Sequence, residues 1–149
     1  MPKIDLTKVP EQVGTYYPEQ FKEQSKDRVR QCLGDAGGLR DYGVNLMKLP
    51  PGNWSSQRHW HSLEDEFVYI IDGEVVLIEN DSETILHAGE CAAFPKNTKN
   101  GHHLVNRTNK TATYLEIGSR NPDDVTTCSD VDMMCTNRGG FTHKDRKPY

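Results

Sequence analysis

Gln57-Arg58-His59-Trp60-His61-Ser62-Leu63-Glu64-Asp65-Glu66-Phe67-Val68-Tyr69-Ile70-Ile71-Asp72-Gly73 decides how the chain folds, because its side-chain rhythm changes twice within one short stretch. In an extended strand, residues two apart share a face, so His59 and His61 point one way with Gln57 while Arg58 and Trp60 point the other. Ser62 to Asp65 read as a turn. From Glu66 a new strand starts, antiparallel to the first. That restart matters, since Glu66 lies an odd offset from His61 and reaches the histidine face only if the first strand has ended. After Glu66 the segment is apolar on both faces, which predicts one face inside a barrel and the other against a neighbouring sheet. In a chain this small that neighbour is readily a second copy, so a homodimer is expected.

Outward from this stretch, short apolar segments recur between turns: Tyr42 to Leu49, Glu74 to Glu79, Thr84 to His87, Cys91 to Phe94, His102 to Asn106 and Thr111 to Ile117. The spacing predicts an all-β sandwich or barrel. Pro50-Pro51-Gly52-Asn53 breaks the first segment from the next, Asp72-Gly73 reads as a two-residue hairpin turn, and Asn80-Asp81 and Ala88-Gly89 supply further turns. Helical signals are weak. The best runs from Glu19 to Arg30, and it is polar nearly all round.

The chain has 149 residues, which fits one domain, and 19 of its 30 Leu, Ile, Val and Phe residues lie between Tyr42 and Gly118. The expected organisation is a core over residues 41–118, an N-terminal arm over 1–40 and a C-terminal arm over 119–149, each leaning on the core or on a partner subunit. The formal net charge of −4 is small and the basic residues are scattered, which argues against nucleic acid as a partner. The unbroken apolar run Phe67 to Ile71 is too short to span a bilayer and no signal-peptide pattern opens the chain, so a cytoplasmic protein with no membrane partner is expected. Cys32, Cys91, Cys128 and Cys135 contain no Cys-x-x-Cys pair. They read as free thiols, with a Cys128 to Cys135 bridge open on spacing alone, and Cys91 as a packed core residue.

A third imidazole is available from a separate strand at His102 or His103, of which only one can face the same ion. Three imidazoles and one carboxylate suit a divalent transition metal and leave one or two positions for water or substrate. Other candidates are weaker. Gln57 either binds a polar substrate or a metal-bound water, or is an edge residue. Tyr114 and Glu116 share one face of the last long strand, and they either enter the barrel as an acid/base pair or face solvent. The need of Leu115 and Ile117 for a core favours the outward choice.

The pattern Gly52, His59-Trp60-His61, four residues, Glu66, six residues and Gly73 resembles the first motif of the cupin superfamily, with one extra residue after Gly52. Gly89, five residues, Pro95, then His102, three residues and Asn106 resembles the second, with Asn97 at an expected glycine and two extra residues before His102. The second motif selects His102. The resemblance implies a small single-domain bacterial cupin with a double-stranded β-helix, or jelly-roll barrel. It implies one metal ion (Fe, Mn, Zn or Ni) on His59, His61, Glu66 and His102. The function it implies is a metal-dependent enzyme of the isomerase, epimerase or lyase type acting on a small sugar-like or carboxylate metabolite. Alternatives are an Fe(II)-dependent dioxygenase and a non-catalytic small-molecule-binding module. A phosphorylated substrate would call for a Lys or Arg inside the barrel. Strand parity suggests only Lys48 and Arg40 and turns Arg58 outward.

Overall fold

The computed structural model describes residues 3–149. In chain order the strands are β1 (Gln12–Val13), β2 (Val29–Cys32), β3 (Tyr42–Leu49), β4 (His59–His61), β5 (Glu66–Asp72), β6 (Glu74–Ile78), β7 (Glu83–His87), β8 (Cys91–Phe94), β9 (His103–Val105), β10 (Ala112–Ser119), β11 (Val125–Cys128), β12 (Met134–Thr136) and β13 (Gly140–Thr142). They form two layers. The first is a six-stranded sheet in the order β1-β2-β3-β10-β5-β8. The second joins the sheet β13-β12-β11-β4 to the sheet β7-β6-β9 through antiparallel bridges at His59–His102 and Trp54–Val105. Two apposed layers of short antiparallel strands, with the chain alternating between them, make the double-stranded β-helix.

The register shows which side chains enter the space between the layers. Arg30 pairs with Met47, Met47 with Tyr114 and Tyr114 with Ile70, and the next inward row holds Cys32, Asn45, Glu116, Val68 and Ala92. Gly43, Gly118, Glu66 and Phe94 form the row after that. Met47, Leu49, Val68 and Ile70 from these strands meet Val75, Leu77, Leu86 and Leu104 from the opposite layer in one buried cluster. Each such aliphatic side chain contributes ~1.5–3 kcal/mol on leaving water, and this cluster holds the layers together.

Four expectations change here. Asp72-Gly73 is no hairpin, because β5 pairs with β10 and β8 while β6 pairs with β7 and β9. Gly73, at φ 81°, is where the chain crosses from one layer to the other, and a Cβ there would lie 3.0 Å from Ala112 Cα. The Glu19 to Arg30 helix is absent. Short 3-10 turns occupy Glu19–Phe21 and Glu23–Ser25, and the chain then extends into β2. A helix polar on all sides has no face to bury, whereas alternation of Arg28 and Arg30 with Val29 and Gln31 gives a strand two usable faces.

The third change is the parity of β10. Tyr114 is fully buried between the layers and Glu116 lies on the same inward face, while Leu115 and Ile117 are half-buried on the outside beside Leu46, Val44 and Phe67. The outer face is itself apolar, so the demand of Leu115 and Ile117 for cover is met without turning them inward. Cys91, expected in the core, stands exposed on that outer face next to Tyr69.

Residues on both sides of the central region build onto the layers. β2 extends the large sheet beyond β3, and β11 lies directly against β4 with Thr126 opposite His61 and Cys128 opposite His59. A four-residue helix, α1 (Leu33–Ala36), crosses β3 closely: a Cβ on Gly34 would sit 2.9 Å from the Val44 amide nitrogen.

Candidate metal centre

β4 carries His59 and His61 on one face, β5 opens with Glu66, and His102 immediately precedes β9. The His59–His102 backbone bridge sets two of these residues side by side, with amide-to-carbonyl distances of 3.2 and 2.9 Å. Glu66 enters from the opposite layer, in the inward row whose β3 and β10 members are glycines. The outcome is a convergent cluster. The Nε2 atoms of His102, His59 and His61 stand 2.8, 3.4 and 3.4 Å from a single oxygen, Glu66 Oε2.

The remaining ring nitrogens are engaged in ways that aim these Nε2 atoms. His59 Nδ1 lies 2.9 Å from the Gln57 carbonyl, which accepts its proton and leaves Nε2 with the lone pair. His61 Nδ1 lies 2.7 Å from Asp124 Oδ2. A carboxylate–imidazole pair of this kind orients metal-binding histidines and raises their basicity. The His102 ring is held by stacking on Phe94 at 3.6 Å and 1° between planes, and its buried Nδ1 has no partner among the described residues. His103 takes a different role: its Nδ1 donates to the Ser56 carbonyl at 2.9 Å and its ring packs edge-on against Trp54.

Electrostatics reinforce the cluster. Burial works against the Glu66 charge, but hydrogen bonds from His102, His59 and His61 outweigh it and hold the carboxyl well below the usual carboxylate range. Burial likewise disfavours a charged His61, yet Glu66 and Asp124 on its two nitrogens prevail and raise its pKa to about 9. Burial of His102 pushes its imidazole down, toward the neutral form a metal requires. Three imidazole nitrogens and an ionised carboxylate, with two rings oriented from behind, are a donor set that fits a divalent transition metal.

The asparagines of the second motif also have a physical place. Asn97 adopts the left-handed conformation at φ 60° that a glycine would otherwise supply, and its amide donates to the His61 carbonyl at 2.7 Å. Asn106 is fully buried, with Nδ2 donating to the carbonyls of Leu49 and Lys110, both at 2.7 Å, so the motif asparagine ties strand ends together.

The weaker candidates divide. Gln57 is buried, but its amide is turned away from the centre to the Phe21 carbonyl, and its service to the site is the backbone carbonyl that holds His59. Tyr114 and Glu116 line a small inner cavity with His59, Glu66 and His102. The Tyr114 hydroxyl is buried with no partner among the described residues, and desolvation raises its phenol above the ordinary range. Asn45 Nδ2 donates to Glu116 Oε1 at 3.1 Å. Glu64 and Asp65 hold loops by accepting from the amides of Asn121 and Lys96. Arg58 faces outward and pairs with Asp130. Cys128 and Cys135 are free thiols at the edge of a wider cavity of about 210 Å³ that opens onto His59, His61 and Glu66. Burial pushes the Cys128 thiol up to about 12, which makes it a packing group instead of a nucleophile.

Two kinds of site residue escaped the sequence. Asp124 belongs to the segment after the core, and nothing in its sequence neighbourhood connects it with His61. Arg28, just before β2, and Arg30, within it, line the wider cavity. Their every-second-residue spacing was the available signal, masked by the expectation of a helix. The Asp124 contact supports one prediction: Asp124→Asn keeps the fold and lowers metal affinity about 10- to 100-fold. Competition with a chromophoric chelator measures this, and unchanged affinity would mean that Asp124 only anchors Leu63 and Ser62, whose amide and hydroxyl it also accepts at 2.7 and 3.1 Å.

The two-layer fold and this four-residue cluster define a cupin, and the comparisons with known proteins agree. The family model for the cupin domain matches residues 45–118. A sugar phosphate isomerase of the cupin superfamily from Silicibacter pomeroyi DSS-3 is 43% identical, with 99% of this chain and 96% of that one covered at a TM-score of 0.93. The chain belongs to the cupin superfamily, as one of its small bacterial members. A protein from Acidithiobacillus ferrooxidans described as a candidate sugar phosphate isomerase is 31% identical over 78% of this chain and 74% of its own, at a TM-score of 0.72. The polyketide cyclase RemF from Streptomyces resistomycificus shares the fold at 17% identity and a TM-score of 0.67, with 83% of each chain covered. A search of the curated proteins finds no significant match. No described helix is long and apolar enough to cross a membrane.

Proposed function

We propose that this cupin is a metal-dependent isomerase of a small sugar-like metabolite, with the metal held by His59, His61, Glu66 and His102. The observation that carries the reading is the approach of three Nε2 atoms to Glu66 Oε2, all within 3.4 Å, at the wall of a cavity that also presents Glu116. The two relatives named for sugar phosphate isomerisation support the reaction class.

A metal bound there supplies Lewis-acid polarisation of a substrate carbonyl or hydroxyl oxygen. The chain's own residues do the rest. Glu116, steadied by Asn45, takes the proton from the carbon next to the carbonyl and returns it to the former carbonyl carbon, while the hydroxyl proton of the first carbon passes to the oxygen of the second, which converts an aldose into a ketose with no net change in atoms. Tyr114, kept protonated by burial, lines only the inner cavity of about 20 Å³, room for a single water, and its unpaired hydroxyl reaches a substrate oxygen through that water. The wider cavity, onto which His59, His61, Glu66 and Glu116 open, is about 210 Å³, smaller than the ~300–1,000 Å³ of drug-sized sites, and suits a small metabolite.

The test is proton NMR of metal-loaded protein with a panel of aldoses, ketoses and their phosphates in deuterated water. Interconversion with deuterium appearing at the carbon next to the carbonyl is expected for at least one pair. No interconversion with any of Fe(II), Mn(II), Zn(II) or Ni(II), together with oxygen uptake by the Fe(II) form, would replace the isomerase with a dioxygenase.

A further inference from the structure

Arg30 stands on the inward face of β2, in the row that continues through Met47 and Tyr114. Arg30 lines the wider cavity together with His59, His61 and Glu66. Its Nε is buried, no described residue accepts a hydrogen bond from it, and Arg30 makes no ion pair among the described residues. A buried donor on a permanent cation costs stability when left unmatched, and such a group faces a cavity where something outside the chain completes it. Its neighbour Arg28 differs. It also lines the cavity, but Nε donates to the Gly14 carbonyl at 3.1 Å and Nη1 to the Ser55 carbonyl. Arg28 braces the N-terminal segment, and Arg30 is left with its fork open.

Distance separates this cation from the metal ligands. Along the strands, the Arg30–Met47 pair lies four residues from the Gly43–Gly118–Glu66 row, about 13 Å by strand rise, and Arg30 and Glu66 are three strands apart, about 14 Å. Both residues line the same wider cavity. A group seated on Arg30 and an oxygen seated among the histidines are therefore two ends of one small molecule. A planar guanidinium with several donors matches the oxygens of a phosphate or a carboxylate in paired hydrogen bonds.

We infer that Arg30 is the specificity-determining anion anchor of this site, binding the phosphate or carboxylate substituent of the substrate whose other end lies at His59, His61, Glu66 and His102. This rests on the metal-dependent reading for the position of that other end, but the anion site itself is independently testable.

The experiment is calorimetric titration of the zinc-loaded protein with inorganic phosphate and, separately, with acetate. Four proteins are compared: unaltered, Arg30→Gln, Arg30→Lys and Lys48→Gln. Lys48 is the control, an outward cation paired with Glu11. Phosphate binding is expected to weaken tenfold or more in Arg30→Gln, to recover in part in Arg30→Lys, and to match the unaltered protein in Lys48→Gln, with zinc content and melting temperature unchanged throughout. The same dependence for acetate, with no binding of phosphate, would support the anchor and assign it to a carboxylate. Equal binding in the unaltered protein and Arg30→Gln, or no binding of either anion by the unaltered protein, would overturn it. Should the unaltered protein take up no zinc, the metal-dependent reading fails by itself, and the same titrations on metal-free protein still decide the role of Arg30.

Discussion

His59→Ala/His61→Ala will purify with almost none of the metal that the unaltered protein carries at near-stoichiometric levels, and it will still fold. Elemental analysis of untagged protein prepared without chelator reads the first part, and circular dichroism the second. The expectation follows from where the side chains stand. Both rings surround Glu66 Oε2, so their removal takes half of a four-donor set. The strand that carries them is held by backbone pairing with β11 and by the His59–His102 bridge, neither of which needs an imidazole. Equal metal in both proteins would place the ion elsewhere and remove the basis of the proposed function. Single changes rank the set: unaltered metal in His102→Ala would exclude the imidazole that now lies 2.8 Å from Glu66.

The same centre sets a pH dependence. In the metal-free protein His61 keeps its proton up to about pH 9, because Glu66 and Asp124 together outweigh the burial that opposes the charge. A metal must displace that proton. Its apparent affinity therefore climbs about tenfold for each pH unit toward 9 and levels off above it, as chelator competition across the range will show. An affinity that is flat below pH 9 would mean that His61 does not ligate.

The strands around the centre were legible because their physics is local. Period-two alternation places His59 and His61 together, and the turn through Ser62 to Asp65 restores the phase of Glu66, so these three follow from pattern and spacing, while the choice of His102 over His103 comes from the resemblance to the second cupin motif. The segments Tyr42 to Leu49 and Cys91 to Phe94 coincide with β3 and β8 for the same reason. What stayed hidden depends on which layer a strand joins. Asp72-Gly73 has hairpin chemistry, but a positive φ at Gly73 serves a crossing between layers equally well. Leu115 and Ile117 needed cover, yet nothing local says that the outer face of the sheet is apolar too. Asp124 and Arg30 reach the site from segments far away in sequence, through pairings of β11 with β4 and of β2 with β3 that no local motif encodes.

Glu116→Gln carries the largest expected loss of turnover. Glu116 shares the inward face of β10 with Tyr114, lines the cavity with His59 and Glu66, and is oriented by Asn45 at 3.1 Å. Glutamine keeps the length of the side chain and an oxygen for Asn45, but it cannot accept the carbon-bound proton. Turnover should fall about 10²- to 10⁴-fold, the usual worth of a positioned general base, while metal content and KM stay near those of the unaltered protein. Deuterium exchange at the substrate carbon next to the carbonyl should fall in parallel, since the same transfer produces it. Tyr114→Phe gives the contrast. Burial keeps that phenol protonated and its hydroxyl has no partner among the described residues, so it acts as a donor to substrate oxygen through a water of the inner cavity; its loss should lower turnover less and leave exchange measurable. Should Glu116→Gln retain full exchange while Tyr114→Phe abolishes it, the two roles are reversed, with the tyrosine as the proton carrier and the carboxylate as the group that orients it.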